Sequence, residues 1–344
     1  MNRNMKTLRA NDDLESFYDF GKQIRARNTD NSGWSEAKEL GFYFNANNEN
    51  VQFFLIEKGE ERGRIAAFYH EETPELGILG WYECDDNDSL SEELLRAAIS
   101  WLQSKGCKKI IGPINGSTWS SYRFNLDASK PLFAGEPYQP SYYPKQWEKV
   151  GFENDVMYET TIPYRPSDES LDYDQVMSYL INLGLEMTPL AREITEDENL
   201  SYFKFYADCF RGNPFFYNIS LDHYLLLTEK LANVAEYDFS YVVKDKQGNP
   251  ISAFISYVDV HRGINDDGKG KKLFLKTIAT HPKWRNKKIM QIVVNFLRLK
   301  AERMGYTEVI FSLMFSENLT AMKTRDVYGS DILRNYTLMS KELG

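Results

Sequence analysis

The sequence predicts an α/β protein in which one unit is written twice, and three observations carry that prediction. The same order of elements occurs in each half: two hairpin strands, a third strand, an amphipathic helix closed near a glycine, and a short apolar strand. Residues 163–174, with Pro163, Pro166 and several acids, interrupt the apolar periodicity between the halves. The length of 344 residues, with 42% hydrophobic and 26% charged side chains, leans toward two domains with ample core. The expected division is an N-terminal domain over 1–162, a linker over 163–174 and a C-terminal domain over 175–344.

In the first copy, residues 51–57 and 64–70 read as hairpin strands around Lys58-Gly59-Glu60-Glu61-Arg62-Gly63, and 76–84 as the next strand. Leu94, Leu95, Ala98 and Leu102 share one helical face, Gly106 ends that helix, and 109–112 starts a short buried strand. The second copy repeats this. Residues 239–244 and 251–258 flank Asp245-Lys246-Gln247-Gly248-Asn249-Pro250, and 273–280 is the following strand. Ile289, Ile292, Val293 and Phe296 form the helical stripe, Gly305 takes the place of Gly106, and 308–313 is the closing apolar strand.

Composition narrows the function classes. Lys and Arg total 41 against 50 Asp and Glu, a net charge of −9, which is the wrong sign for a protein that lives on phosphate backbones; no nucleic-acid partner is expected. The densest basic patch outside the N-terminus is Lys283, Arg285, Lys287 and Lys288. Cys84, Cys107 and Cys209 have no paired spacing, so neither a disulfide framework nor a thiolate metal site is suggested. No stretch approaches the ~20 apolar residues of a membrane span, and no apolar run follows Met1, so the expected setting is cytoplasmic, without a membrane partner. The 22 Tyr, 21 Phe and 6 Trp are scattered through apolar segments, which suits core and groove lining. No HExxH, nucleophile elbow or Walker loop occurs, so hydrolytic, metal and nucleotide-triphosphate readings have no support.

A strand, a loop rich in Arg and Lys, a helix, a strand and then an asparagine make the repeated unit resemble the Gcn5-related N-acetyltransferases (GNAT). The segment His281-Pro282-Lys283-Trp284-Arg285-Asn286-Lys287-Lys288-Ile289-Met290 carries that family's Pro, aromatic and Arg at Pro282, Trp284 and Arg285. Lys288 and Met290 stand where the family has glycines. The resemblance implies tandem acyl-CoA N-acyltransferase folds, each a mixed, mostly antiparallel sheet flanked by helices. It also implies acetyl-CoA as acyl donor in the C-terminal copy. There a splayed strand, at Ile278, Ala279 and Thr280, would pair with the pantetheine arm. The loop and helix start, Arg285, Asn286, Lys287, Lys288, Ile289 and Met290, would cradle the pyrophosphate at unpaired N–H groups. Lys287 and Lys288 can act as point charges in place of the glycines. Asn318 is the asparagine that opens the family's next helix, with Ala321 after it. Arg325 falls in the register of the usual proton-donating tyrosine, and Tyr328 lies three residues along.

In the first copy, Trp147-Glu148-Lys149-Val150-Gly151-Phe152 matches the family's closing element, with Trp147 where tyrosine would stand. The loop Asp85-Asp86-Asn87-Asp88-Ser89 presents acids where a pyrophosphate would sit, so this copy is not expected to bind CoA. Its segments 112–119 and 138–143 resemble an uncharacterised bacterial subgroup of the superfamily.

Acyl transfer to an amine needs a base for the amine, an acid for the departing thiolate and donors for the oxyanion. Glu317, beside Asn318 at a strand end, is the candidate base and Tyr328 the candidate acid; His281, Asp259 and His261 are further bases. Asn115, Trp119, Tyr122 and Arg123 are candidate acceptor-binding residues. The function expected is an N-acetyltransferase acting on a small-molecule or peptide amine. Two alternatives remain open at this point: a catalytically degenerate ligand-binding or interaction module, and an aminoacyl-tRNA-dependent peptidyl transferase.

Overall fold

A computed structural model describes residues 5–8, 14–27, 41–42, 49–133, 136, 139–163, 172–232, 234–257, 271–317 and 329–344. In chain order the elements are β1 (Met5–Leu8), α1 (Leu14–Arg27), β2 (Val51–Lys58), β3 (Glu61–Tyr69), β4 (Leu76–Cys84), α2 (Asp88–Ser104), β5 (Lys109–Gly112), β6 (Phe124–Asn125), α3 (Tyr143–Glu148) and β7 (Glu153–Pro163). They continue with α4 (Tyr173–Asn182), β8 (Leu185–Pro189), α5 (Glu196–Phe210), α6 (Leu221–Ala232), β9 (Tyr241–Asp245), β10 (Pro250–Tyr257), β11 (Lys271–Thr280), α7 (Ile289–Arg303), β12 (Tyr306–Phe315) and β13 (Ser330–Glu342).

These elements form two compact units that interleave along the chain, where the sequence reading cut it once. The first holds residues 1–129, 137–157 and 336–344; the second holds 130–136 and 158–335. Residues 164–171 of the expected linker lie outside the described residues. Asp172, at the end of the expected linker, is the N-cap of α4, which it closes in a reciprocal capping box with Gln175.

The first unit is a sheet in the order β1-β2-β3-β4-β5-β13, antiparallel throughout except for the parallel pair β4/β5. The short β6 also pairs with β13. The helical stripe read from the sequence is the packed face of α2: Leu94, Leu95, Ala98 and Leu102, joined by Leu90, are fully buried against Ile56, Ile65 and Leu79. On the other side, α1 is fixed by Arg64. Its Nε donates to Glu83 (3.0 Å), its Nη1 donates to the Phe17 carbonyl (2.9 Å), and its guanidinium lies 4.7 Å from the Phe17 ring. Tyr336, Leu338 and Met339 are fully buried, and Met339 packs in the same core as α2 although it lies far along the chain.

The second unit repeats that order as β8-β9-β10-β11-β12-β7, again antiparallel except for one parallel pair, β11/β12. β7 therefore occupies beside β12 the place that β13 occupies beside β5. The stripe Ile289, Ile292, Val293 and Phe296 of α7 is buried against Val243, Phe254, Leu273 and Phe311. Residues 130–136 reach into this unit. Phe133 stacks on Phe274 at 4.7 Å, and the buried pair Arg334–Glu136 (3.4 Å) is secured by Arg334 Nη2 donating to the Pro131 carbonyl (2.9 Å). Among the described residues no helix is long and apolar enough to cross a membrane.

Two measurements test this architecture. Met339→Ala should lower stability by about 2–5 kcal/mol, and hydrogen exchange should show the loss in the first unit's strand 76–84 before the second unit's strand 271–280. Acid should weaken the second unit through His223, which is buried on α6 and whose pKa burial pushes down to about 4. The unfolded chain binds that proton near pH 6.5 and the folded chain does not, so this contribution is complete above about 6.5 and fades as pH falls toward about 4. Urea titrations at pH 7 and 4.5 should differ by roughly 2–3 kcal/mol more in the parent than in His223→Gln.

Candidate functional site

The second unit's parallel pair holds together only briefly. β11 pairs with β12 from Lys271↔Tyr306 to Leu275↔Phe311, and there the parallel register ends. β11 runs on to Thr280 beside β10, through Phe254↔Ile278, Ala253↔Ala279 and Ser252↔Thr280. β12 runs on beside β7, its neighbour on the opposite edge, from Phe311↔Thr161 through Met314↔Glu159 to Phe315↔Tyr158, with Leu313 at φ 58° and its N–H donating to the Thr160 hydroxyl (3.1 Å). Ile278, Ala279 and Thr280 thus lie where β11 has left β12. Strands that part in this way offer backbone groups to an extended ligand.

Beyond Thr280 the chain makes a single turn over Pro282–Trp284, with His281 Nδ1 accepting from the Lys283 N–H (3.3 Å). Asn286 (φ 64°) and Lys288 (φ 52°) then adopt left-handed backbone. Lys288 is the residue that stands in the glycine position, and the loop keeps there the conformation that glycine favours, at a cost of about 1–2 kcal/mol for a residue with a Cβ. Met290, in the other glycine position, packs half-buried against the α7 core, beside the buried Ile289. α7 begins directly after Lys288 with no side chain capping its first turn and no acid in it. Its first N–H groups and the positive end of its dipole face the loop.

Each basic residue of the loop has a distinct position. Arg285 is tied to the protein: Nη2 donates to the Cys209 carbonyl at the end of α5 (2.9 Å) and Nε to the Thr280 carbonyl (3.3 Å). These two bonds tie the loop at Arg285 to the end of α5 and of β11. Beneath it, burial pushes the Cys209 thiol up to about 12, which keeps it neutral. Lys283, Lys287 and Lys288 are exposed. From α4, the Tyr179 hydroxyl donates to the Lys287 carbonyl (3.1 Å). That contact has no local signal in the sequence, because it joins a helix residue to a loop residue more than a hundred positions away.

The expected base Glu317 is exposed just past the end of β12. Tyr328, Asn318, Ala321, Arg325, Asp259 and His261 lie outside the described residues. His281 sits 3.8 Å from Asp208 through Nε2. Among the described residues no group of three His, Cys, Asp or Glu could hold a metal ion.

The four acceptor candidates fall on one connection of the first unit. Asn115 Oδ1 accepts from the Trp81 N–H (2.6 Å), and the Asn115 N–H donates to the Ser121 carbonyl (2.9 Å). Tyr122 bridges Ile114, and the buried Arg123 lays its guanidinium 3.8 Å from the Tyr122 ring. Trp119 stands half-buried between them in sequence, its N–H donating to the Ser117 hydroxyl (3.3 Å). Trp147, in the tyrosine position of this copy, is fully buried among Tyr82, Phe124 and Phe152. The helix start of this copy differs from that of α7. Asn87 caps α2 by accepting from the Leu90 N–H (3.0 Å), and Asp88 places an acid in the first turn.

One briefly paired parallel couple within an otherwise antiparallel sheet, with a helix entering from the parted strand, is the acyl-CoA N-acyltransferase fold of the GNAT proteins. Solved structures agree. A tandem GNAT protein from the clavulanic acid biosynthesis pathway is 8% identical and matches over 99% of both chains at TM-score 0.52. A conserved protein from Enterococcus faecalis V583, described as a probable N-acyltransferase, is 9% identical over 98% of this chain and 71% of its own at TM-score 0.53. A GCN5-related N-acetyltransferase from Kribbella flavida is 8% identical over 99% of this chain and 71% of its own at TM-score 0.52. No family model matches the sequence, and a search of curated proteins finds no match.

The strain at Lys288 is testable by itself. Lys288→Gly should leave stability unchanged or raise it by up to about 1 kcal/mol in thermal unfolding, the relief of the left-handed backbone offsetting the added freedom of the unfolded chain.

Proposed function

We propose that this protein is a CoA-dependent N-acyltransferase that carries acetyl-CoA in its second unit and passes the acetyl group to an amine of a small molecule or peptide. The observation that carries this reading is the uncapped start of α7 behind a loop held left-handed at Asn286 and Lys288, at the exit of a strand that has left its neighbour. A helix start without an intramolecular cap is an anion site, and the two exposed lysines beside it add charge of the sign a pyrophosphate needs. The parted strand gives an amide-bearing arm a backbone to pair with at Ile278, Ala279 and Thr280.

In this reading the neutral amine attacks the thioester carbonyl, the C–N bond forms, and the C–S bond breaks as the thiolate takes a proton. Glu317, at the open end of β12, accepts the amine's proton directly or through water, and Tyr328 supplies the proton to sulfur. Asn318 belongs to the cofactor side, and Asn115, Trp119, Tyr122 and Arg123 to the acceptor.

A second reading, a unit that binds a ligand without turnover, is favoured by Lys288 and Met290 in the glycine positions. Calorimetry with acetyl-CoA separates these readings when paired with a free-thiol assay over a panel of amines. Binding weakened about tenfold or more, some 1.4 kcal/mol, in Lys287→Ala/Lys288→Ala supports the site. Binding without thiol release on any amine supports the second reading, and no binding by the parent overturns the proposal.

A further inference from the structure

The first unit parts its own parallel strands, and something already fills the gap. β4 pairs with β5 only through Leu76↔Lys109, Gly77↔Ile110 and Ile78↔Ile111, while β4 continues to Cys84. Backbone groups on that released edge need partners if they are buried, and Leu79 and Trp81 are 0% and 2% exposed. The partners come from the chain that follows β5. The Ile114 N–H donates to the Leu79 carbonyl (2.8 Å), and two residues along β4 the Trp81 N–H donates to Asn115 Oδ1 (2.6 Å). Acceptor and donor on alternate residues are the groups that an added strand engages.

The fit is tight and held from behind. A Cβ on Gly80, between the two bonded residues, would lie 2.0 Å from the Ile114 carbonyl oxygen, and one on Gly112 would lie 2.5 Å from the Leu79 carbonyl oxygen. Ile114 is fully buried. The connection is closed on itself by Asn115 N–H to Ser121 carbonyl (2.9 Å), Arg123 N–H to Pro113 carbonyl (2.8 Å) and the bridge Ile114↔Tyr122.

We infer that residues 113–115 are the permanent occupant of the parting between β4 and β5, so that among the described residues the first unit leaves no open β4 edge there for an extended ligand. The side chain of Asn115 does the work of a backbone carbonyl, and the glycine at position 80 exists to let the Ile114 carbonyl approach. This holds whatever β11 takes in the second unit. Among the described residues, that leaves β11 as the parted strand open to acetyl-CoA.

Hydrogen exchange resolved to single amides tests this in the full-length protein, with and without saturating acetyl-CoA. The Ile114 and Trp81 amides should exchange about 100-fold or more slowly than those of the exposed turn at 59–60, and acetyl-CoA should leave both unchanged. Asn115→Ala should speed the Trp81 amide about tenfold or more, whereas Asn115→Asp, which keeps the acceptor oxygen, should restore much of the protection. Turn-like exchange at Ile114, or a change at Ile114 or Trp81 on adding acetyl-CoA, overturns the inference. Amides 278–280 and 289–290 report separately on the second unit. Their silence would count against the proposed function while leaving the occupant of β4 in place.

Discussion

A parallel pair of strands can share a hydrogen-bond ladder only as long as both keep direction, and each unit of this protein ends that ladder after a few residues. Most other features answer to that constraint. Once β11 has left β12, β10 stays with it, through Phe254, Ala253 and Ser252, up to the end of the strand. β12 goes on beside β7, its neighbour on the opposite edge, from Phe311↔Thr161 to Phe315↔Tyr158. The helix that follows the released strand starts where the ladder has opened, so an uncapped helix start and a strand edge that β12 has left come to lie next to one another in sequence.

The two units resolve the same constraint with opposite chemistry. At α2 the first turn is neutral to its own dipole: Asn87 caps it, Asp88 adds a negative charge, and Lys149 pairs with Asp88. At α7 the same turn has neither cap nor acid and is preceded by Lys287 and Lys288. At β4 the released edge is filled by the chain's own Ile114 and Asn115, and Trp147 fills with indole a place that the family resemblance gives to a proton donor. One unit has filled its opening with its own chain, and the other has an uncapped helix start beside it.

Much of this was legible in the sequence, for reasons that are local. Alternation along 51–57 and 273–280, and the stripes on α2 and α7, are set by periodicities of two and 3.6, and the structure places strands and helices there. The acids at 85–88 and the lysines at 283–288 could be read as opposite settings because charge needs no folding to be seen. What could not be read depends on partners distant in sequence. Nothing near Arg285 announces the Cys209 carbonyl that holds it, and nothing near Asn115 announces the Trp81 N–H. Lys288 broke the glycine pattern in letters yet kept the glycine backbone, which only dihedral angles reveal. The pairing of β13 with β5 was equally hidden, since an apolar strand does not declare which edge it will join.

That last pairing has a consequence for how the chain is made. The first unit needs Tyr336–Gly344 to finish its sheet, and these residues follow the whole of the second unit in the sequence. At about 5–20 residues per second on the ribosome, the interval between residues 157 and 344 lasts roughly 10–40 s. Throughout it β5 presents an open edge of the sort that invites unwanted pairing. A nascent chain of this design therefore cannot finish its domains in the order it is translated, and the half made first spends its youth dependent on whatever shields that edge.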